Sequence, residues 1–218
     1  MAWRDAAQGN PCRGIERNHE EARERFFSQP ELTAIGEALN RYSGIGADVV
    51  RLLLLTGARP AEAMKATWEE FDAEPGYWIK PSSHTKQRKV HRLPLNPPAL
   101  ELIDRLRKKR KGKFVFPSDK QPSKHLVGIW HCWEFVRKQT GIGKSARLYD
   151  LRHSFASSGA GIGLSLPVIG KLLGHVRAST TARYAHLASD VLVEATTKIG
   201  NVLADNGKHG AKVISIKN

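Results

Sequence analysis

From Val49 to Leu55 the chain is apolar at every position except Arg51, and the run ends at Thr56-Gly57. Apolar residues on all sides predict a helix over 48–56 that is buried all round. Gly57 closes it, in the left-handed position that commonly ends helices. Pro60 stands where a first helical residue tolerates proline. A second helix is therefore predicted with Arg59 at the junction and Glu62 in its first turn, where a carboxylate suits the helix dipole. Another helix follows Ser28-Gln29-Pro30. Tyr77-Trp78-Ile79 and residues 89–95, with Val90, Leu93 and Leu95 as the apolar members, read as two short strands. Pro97-Pro98 opens a helix running to about residue 111, and the apolar run Phe114-Val115-Phe116 stops at Pro117. Residues 126–139 carry Leu126, Ile129, Trp130, Trp133 and Val136 at helical spacing, which predicts a core-facing stripe. Further helices are predicted over 150–160, 166–173, 180–186 and 188–203. The fold class is mainly α (α+β): a helical bundle with one small antiparallel β-sheet.

Residues 1–28 are polar, with a dense charge run over 16–25, and read as a lead-in or linker to a domain over 29–204. Residues 205–218 form a tail. Its first part, with Gly207 and Gly210, reads as a tether. Val213-Ile214-Ser215-Ile216 reads as a strand that would seek an open sheet edge, in its own chain or in a neighbour.

The 218 residues carry 35 Lys+Arg against 21 Asp+Glu, a net +14. Such an excess points to a polyanionic partner, with nucleic acid foremost. The two cysteines, Cys12 and Cys132, suggest no disulfide framework, which fits a reducing cytoplasm. No apolar run approaches the ~20 residues of a membrane span, and neither glycine-rich nucleotide cradle is present. No His/Cys/Asp/Glu group has metal-ligand spacing, so neither metal nor cofactor is expected.

Three segments carry the candidate chemistry: Thr56-Gly57-Ala58-Arg59-Pro60-Ala61-Glu62; Leu148-Tyr149-Asp150-Leu151-Arg152-His153-Ser154-Phe155-Ala156; and Leu172-Leu173-Gly174-His175 followed by Thr180-Thr181-Ala182-Arg183-Tyr184. Singly each has an ordinary structural reading: a surface charge, a buried ion-pair partner, a helix cap, a core tyrosine. In this order they resemble the tyrosine recombinase (phage integrase) family over roughly residues 30–200. That family shows an Arg after a Thr-Gly helix end, an H-x-L-R-H/R-T/S-F-A segment, an L-G-H and a late Tyr.

The resemblance implies an enzyme that cuts and rejoins double-stranded DNA without hydrolysis. Tyr184 would be the nucleophile that stores the bond as a 3′-phosphotyrosine. Arg59 and Arg152 would grip the phosphate with planar forks, and His175 would add a hydrogen bond where charge develops. Lys86, in the turn between the strands, would protonate the leaving 5′-oxygen. Glu62 would orient its neighbours. Arg88, Lys89 and Arg183 would touch backbone phosphates, which position without specifying sequence. Tyr149 departs from the family, which usually has His or Lys there. A tyrosine can donate a hydrogen bond but is neutral near pH 7. His153 falls at a variable family position and reads as structural.

Residues 1–28 are too few for the family's N-terminal DNA-clamping domain, so the resemblance implies a shortened or reduced protein with weakened DNA binding. It also implies a homo-oligomer, a tetramer on DNA with a monomer as the alternative away from DNA, and a cytoplasmic location at the nucleoid. Two alternatives stay open: a type IB topoisomerase with the same chemistry, and a DNA-binding regulator without catalysis.

Overall fold

The computed structural model describes residues 25–86 and 88–206. The elements in chain order are α1 (Gln29–Arg41), α2 (Ile45–Thr56), α3 (Pro60–Met64), α4 (Glu69–Asp72), β1 (Tyr77–Lys80), β2 (His91–Pro94), α5 (Pro97–Arg107), α6 (Trp130–Thr140), α7 (Leu148–Gly161), α8 (Leu166–Leu173), α9 (Ala178–Ala182), a 3-10 turn (Ala185–Ala188) and α10 (Ser189–Asn206). The expected strand over 213–216 and the tether from residue 207 lie outside the described residues.

α2 is the hub. Its Val49, Val50, Leu52 and Leu53 are all buried, and it packs against α1, α3, α5, α6 and α7. Gly57 ends it in the left-handed conformation with φ 62°, donating its N–H to Leu53 O. A side chain there would also have no room. A Cβ on Gly57 would lie 2.6 Å from Phe155 Cδ1 and 2.8 Å from Leu173 Cδ2.

β1 and β2 pair antiparallel, with Trp78 opposite Leu93 and Lys80 opposite His91. Two strands alone are marginal in water. Trp78, Lys80 and Leu93 anchor this pair by burial, and Trp78 stacks on Phe71 of α4 at 5.1 Å.

Several expectations are corrected. Residues 25–28 are part of the packed domain: Phe27 is buried, its N–H donates to Ser154 Oγ at 2.7 Å, and Arg25 donates to Ile142 O at 2.7 Å. α1 starts there because Ser28 and Glu31 form a capping box. α5 ends at Arg107, since Leu106 is its last buried residue and a polar extension gains no packing. In α6 the buried face is Cys132, Trp133 and Val136. Trp130 is 63% exposed and is covered on its flank by Arg137, 5.1 Å from the ring centre. The helix expected over 180–186 breaks: α9 stops at Ala182 and Tyr184 lies in the turn before the 3-10 segment. α10 runs to Asn206, past the expected end of the domain at 204.

Candidate functional site

Helix ends build the site. Arg152, on α7, is buried. Its Nη1 donates to Gly57 O and its Nη2 to Leu173 O, both at 2.7 Å. These carbonyls sit at the C-terminal ends of α2 and α8, where the helix dipoles present partial negative charge. The guanidinium thus ties two helix ends together, and its remaining N–H groups are left for another ligand. Burial lowers its pKa to about 10, with Arg59 pushing the same way; it stays charged near neutrality.

Arg59 caps α3. Its Nη1 donates to Glu62 Oε1 at 2.6 Å, while Glu62 Oε2 accepts from the Arg59 backbone N–H at 3.3 Å. Lys80 Nζ reaches the same Oε2 at 3.0 Å. Glu62 and Lys80 are 3% and 1% exposed. Burial pushes the Glu62 carboxyl up, but Lys80 and Arg59 more than offset it and hold it below the usual range. Lys80 is pushed down by burial against the pull of Glu62, and Arg152 and Arg59 push the same way.

His175 follows the left-handed cap Gly174 of α8. Its Nδ1 lies 2.8 Å from the hydroxyl of buried Thr181. With Nδ1 accepting from that hydroxyl, Nε2 carries the hydrogen and is a donor. Burial, then Arg152, Arg59 and Arg183, lower its pKa to about 4, so the ring is neutral at physiological pH. A Cβ on Gly170 would lie 3.0 Å from Thr181 Oγ1, so Gly170 leaves the space that this hydroxyl occupies.

Tyr184 is 5% exposed, in a small second core with Ala156, Ala160, Ile169 and Leu173. Its hydroxyl lies 2.7 Å from His153 Nδ1. Burial raises the phenol pKa, Arg183 and Arg152 oppose this, and Tyr149 reinforces it. Tyr149 is 43% exposed and meets the His153 ring edge-on at 5.4 Å.

The structure therefore brings Arg59, Glu62, Tyr149, Arg152, His175, Arg183 and Tyr184 into one electrostatic cluster. Lys86, Arg88 and Lys89 are exposed on the turn between β1 and β2, and Arg88 has φ 52°. The lysine found inside the cluster is Lys80. Sequence reasoning passed over Lys80 and Thr181 and read His153 as structural. Lys80 and His153 had usable signals. Lys80 is two residues from Trp78 on a strand, hence on the same face, and His153 is four residues from Tyr149 on a helix, hence on its face.

A profile of the phage integrase family matches residues 25–190. The chain belongs to the phage integrase family. Prophage integrase IntA of Escherichia coli (strain K12) is 30% identical over 140 residues, covering 64% of this chain and 33% of IntA. The integrase of Escherichia phage P2 is 28% identical over 187 residues, 85% of this chain and 50% of that protein. This integrase-family chain thus spans half or less of those two relatives. Its fold matches the catalytic domain of bacteriophage HP1 integrase with a TM-score of 0.61 and 24% identity, over 79% of this chain and 93% of that one. Among the described residues no helix is long and apolar enough to cross a membrane, and no group of three or more His, Cys, Asp or Glu could hold a metal ion.

Proposed function

We propose that this chain is the catalytic domain of an integrase-type site-specific recombinase that cuts and rejoins double-stranded DNA through a 3′-phosphotyrosine on Tyr184. The observation that carries this reading is the meeting of two guanidiniums and a neutral histidine donor with one buried phenol. Nucleophilic attack by the phenol oxygen forms a Tyr–phosphate ester and releases the 5′-oxygen. Arg59 and Arg152 offer N–H groups to the non-bridging oxygens, and His175 offers Nε2–H. Glu62 holds the Arg59 fork. Lys86, carried by the exposed turn, supplies the proton to the leaving oxygen once that turn meets DNA. Arg88, Lys89 and Arg183 contact backbone phosphates, and Tyr149 donates a hydrogen bond to the reacting phosphate.

We further infer that the working form on DNA is a homo-tetramer located at the nucleoid. The +14 charge supports a DNA partner.

Nicked duplexes carrying candidate attachment sites trap the intermediate, because the short cleaved strand diffuses away. A covalent adduct on a denaturing gel with the wild type, and none with Tyr184→Phe, is the expected result. An adduct with the Phe variant would refute the nucleophile. A substrate with sulfur in place of the bridging 5′-oxygen needs no proton on departure. It is expected to restore cleavage by Lys86→Ala, and failure to do so would remove Lys86 from the acid role.

A further inference from the structure

The family's usual His or Lys three residues before Arg152 is here Tyr149, which cannot take a proton near neutrality. The phenol that must lose its proton is held in its protonated form by burial. His153 lies one turn along α7 from Tyr149, on the same helix face, and its Nδ1 is 2.7 Å from the Tyr184 hydroxyl. This is proton-transfer distance for a general base and its substrate hydroxyl. We propose that His153 is a catalytic residue of this chain: the acceptor of the Tyr184 proton during strand cleavage, and its donor during rejoining.

The step balances. The Tyr184 oxygen forms the bond to phosphorus as its proton passes to His153 Nδ1. The bond from phosphorus to the 5′-oxygen breaks, and that oxygen takes a proton from the lysine acid. Rejoining reverses each transfer: the 5′-hydroxyl returns its proton to the lysine, and His153 returns its own to the phenol. The role needs His153 neutral with its hydrogen on Nε2, so that Nδ1 accepts from the phenol O–H. Several groups surround this ring. Tyr149 contacts it edge-on from α7. Tyr184 meets it from the turn after α9. His175, at the end of α8, is held neutral, and His153 is among the groups that lower its pKa. Arg152 and Arg183 pull the phenol pKa downward, which eases the transfer toward His153.

The proposal rests on the recombinase reading, and two measurements keep their failures apart. The first follows single-turnover adduct formation from pH 5.5 to 9 with wild type, His153→Asn and His153→Ala, on nicked duplexes with either oxygen or sulfur at the bridging 5′ position. Asn places an oxygen near the Nδ1 position and accepts a hydrogen bond, but does not take a proton. Both variants are expected to cleave ~100-fold more slowly at pH 7, in the range of a lost general base. They are also expected to lose the acid limb of the pH profile and to gain nothing from the 5′-sulfur. Thermal melts and gel shifts report that fold and DNA binding are retained. Full activity in His153→Asn would reduce His153 to a positioning residue, and faster cleavage by either variant would make it a latch on Tyr184; both outcomes overturn the proposal.

The second measurement needs no DNA. The ¹⁵N resonances of His153 in the free chain are expected to show the Nε2–H tautomer, with Nδ1 shifting on Tyr184→Phe. An Nδ1–H tautomer, or no response to Tyr184→Phe, would overturn the proposal even where the wild type forms no adduct. A wild type without adduct would refute the recombinase reading alone.

Discussion

Replacing Glu62 with Gln removes the carboxylate that Lys80 contacts at 3.0 Å, and the Lys80 ammonium is buried within the site. Removing one partner of a buried pair costs about 3–5 kcal/mol, because the remaining charge loses its compensation. The Gln oxygen can still accept one hydrogen bond, which places the expected loss near the lower end, about 3 kcal/mol. For a domain whose total stability is on the order of 5–15 kcal/mol, that is a large fraction. With a urea slope of about 2 kcal/mol per molar, the unfolding midpoint moves down by about 1.5 M. Lys80→Met in the Glu62→Gln background removes the stranded charge and keeps an apolar stem of similar length. It is expected to recover about 2 kcal/mol or more. Lys80→Met alone costs less than Glu62→Gln, since Glu62 keeps Arg59 at 2.6 Å. The four proteins form a double-mutant cycle read by urea denaturation. A loss below about 1 kcal/mol for Glu62→Gln, or a double variant no more stable than that single variant, would show that Lys80 and Glu62 are not a coupled buried pair. In DNA cleavage the double variant is expected to stay impaired, because Met does nothing to restore the hold of Glu62 on the Arg59 guanidinium.

Arg152→Ala leaves the Gly57 and Leu173 carbonyls without their charged donor and is expected to cost about 3 kcal/mol as well as ~100-fold or more in cleavage. Arg59→Ala should show a comparable kinetic loss with less destabilisation, and equal melting losses would contradict the pinning role of Arg152. Gly57→Ala combines a left-handed backbone, itself worth ~1–2 kcal/mol, with contact against Phe155 and Leu173. A urea midpoint unchanged from wild type would exclude that close packing. The folded chain binds the His175 proton less tightly, with a pKa of about 4 against an ordinary ~6.5. The resulting stabilisation is therefore full above the ordinary value and is lost as pH falls from there through about 4. His175→Gln should lose less stability than wild type between pH 7 and 4.5 in urea titrations. DNA affinity is expected to fall with salt at a log–log slope steeper than about −4, at about −0.9 per phosphate neutralised, and a flat response would locate the basic surface away from DNA.

Local rules were enough to read the skeleton in the sequence. The all-apolar stretch over 49–55 marks a buried helix, Gly57 its left-handed end and Pro60 the next start. Leu166–Leu173 is bounded by its own Pro and Gly. The spacing of Arg59, Arg152, His175 and Tyr184 identifies the family. What the sequence left open depends on contacts between distant segments. Lys80 looks like a strand-end surface charge until β1 folds over α3 and buries it on Glu62, eighteen residues earlier. Trp130 has helical spacing with Trp133 but turns outward, with the Arg137 guanidinium over its ring. His153 follows Arg152 as one more polar helix residue. Its role exists only because the turn after α9 brings Tyr184, thirty-one residues on, to within 2.7 Å. Periodicity encodes which face a residue occupies. Which partner that face meets is decided by loop closure and packing across the chain, and it is that pairing which turns a cluster of ordinary side chains into a site.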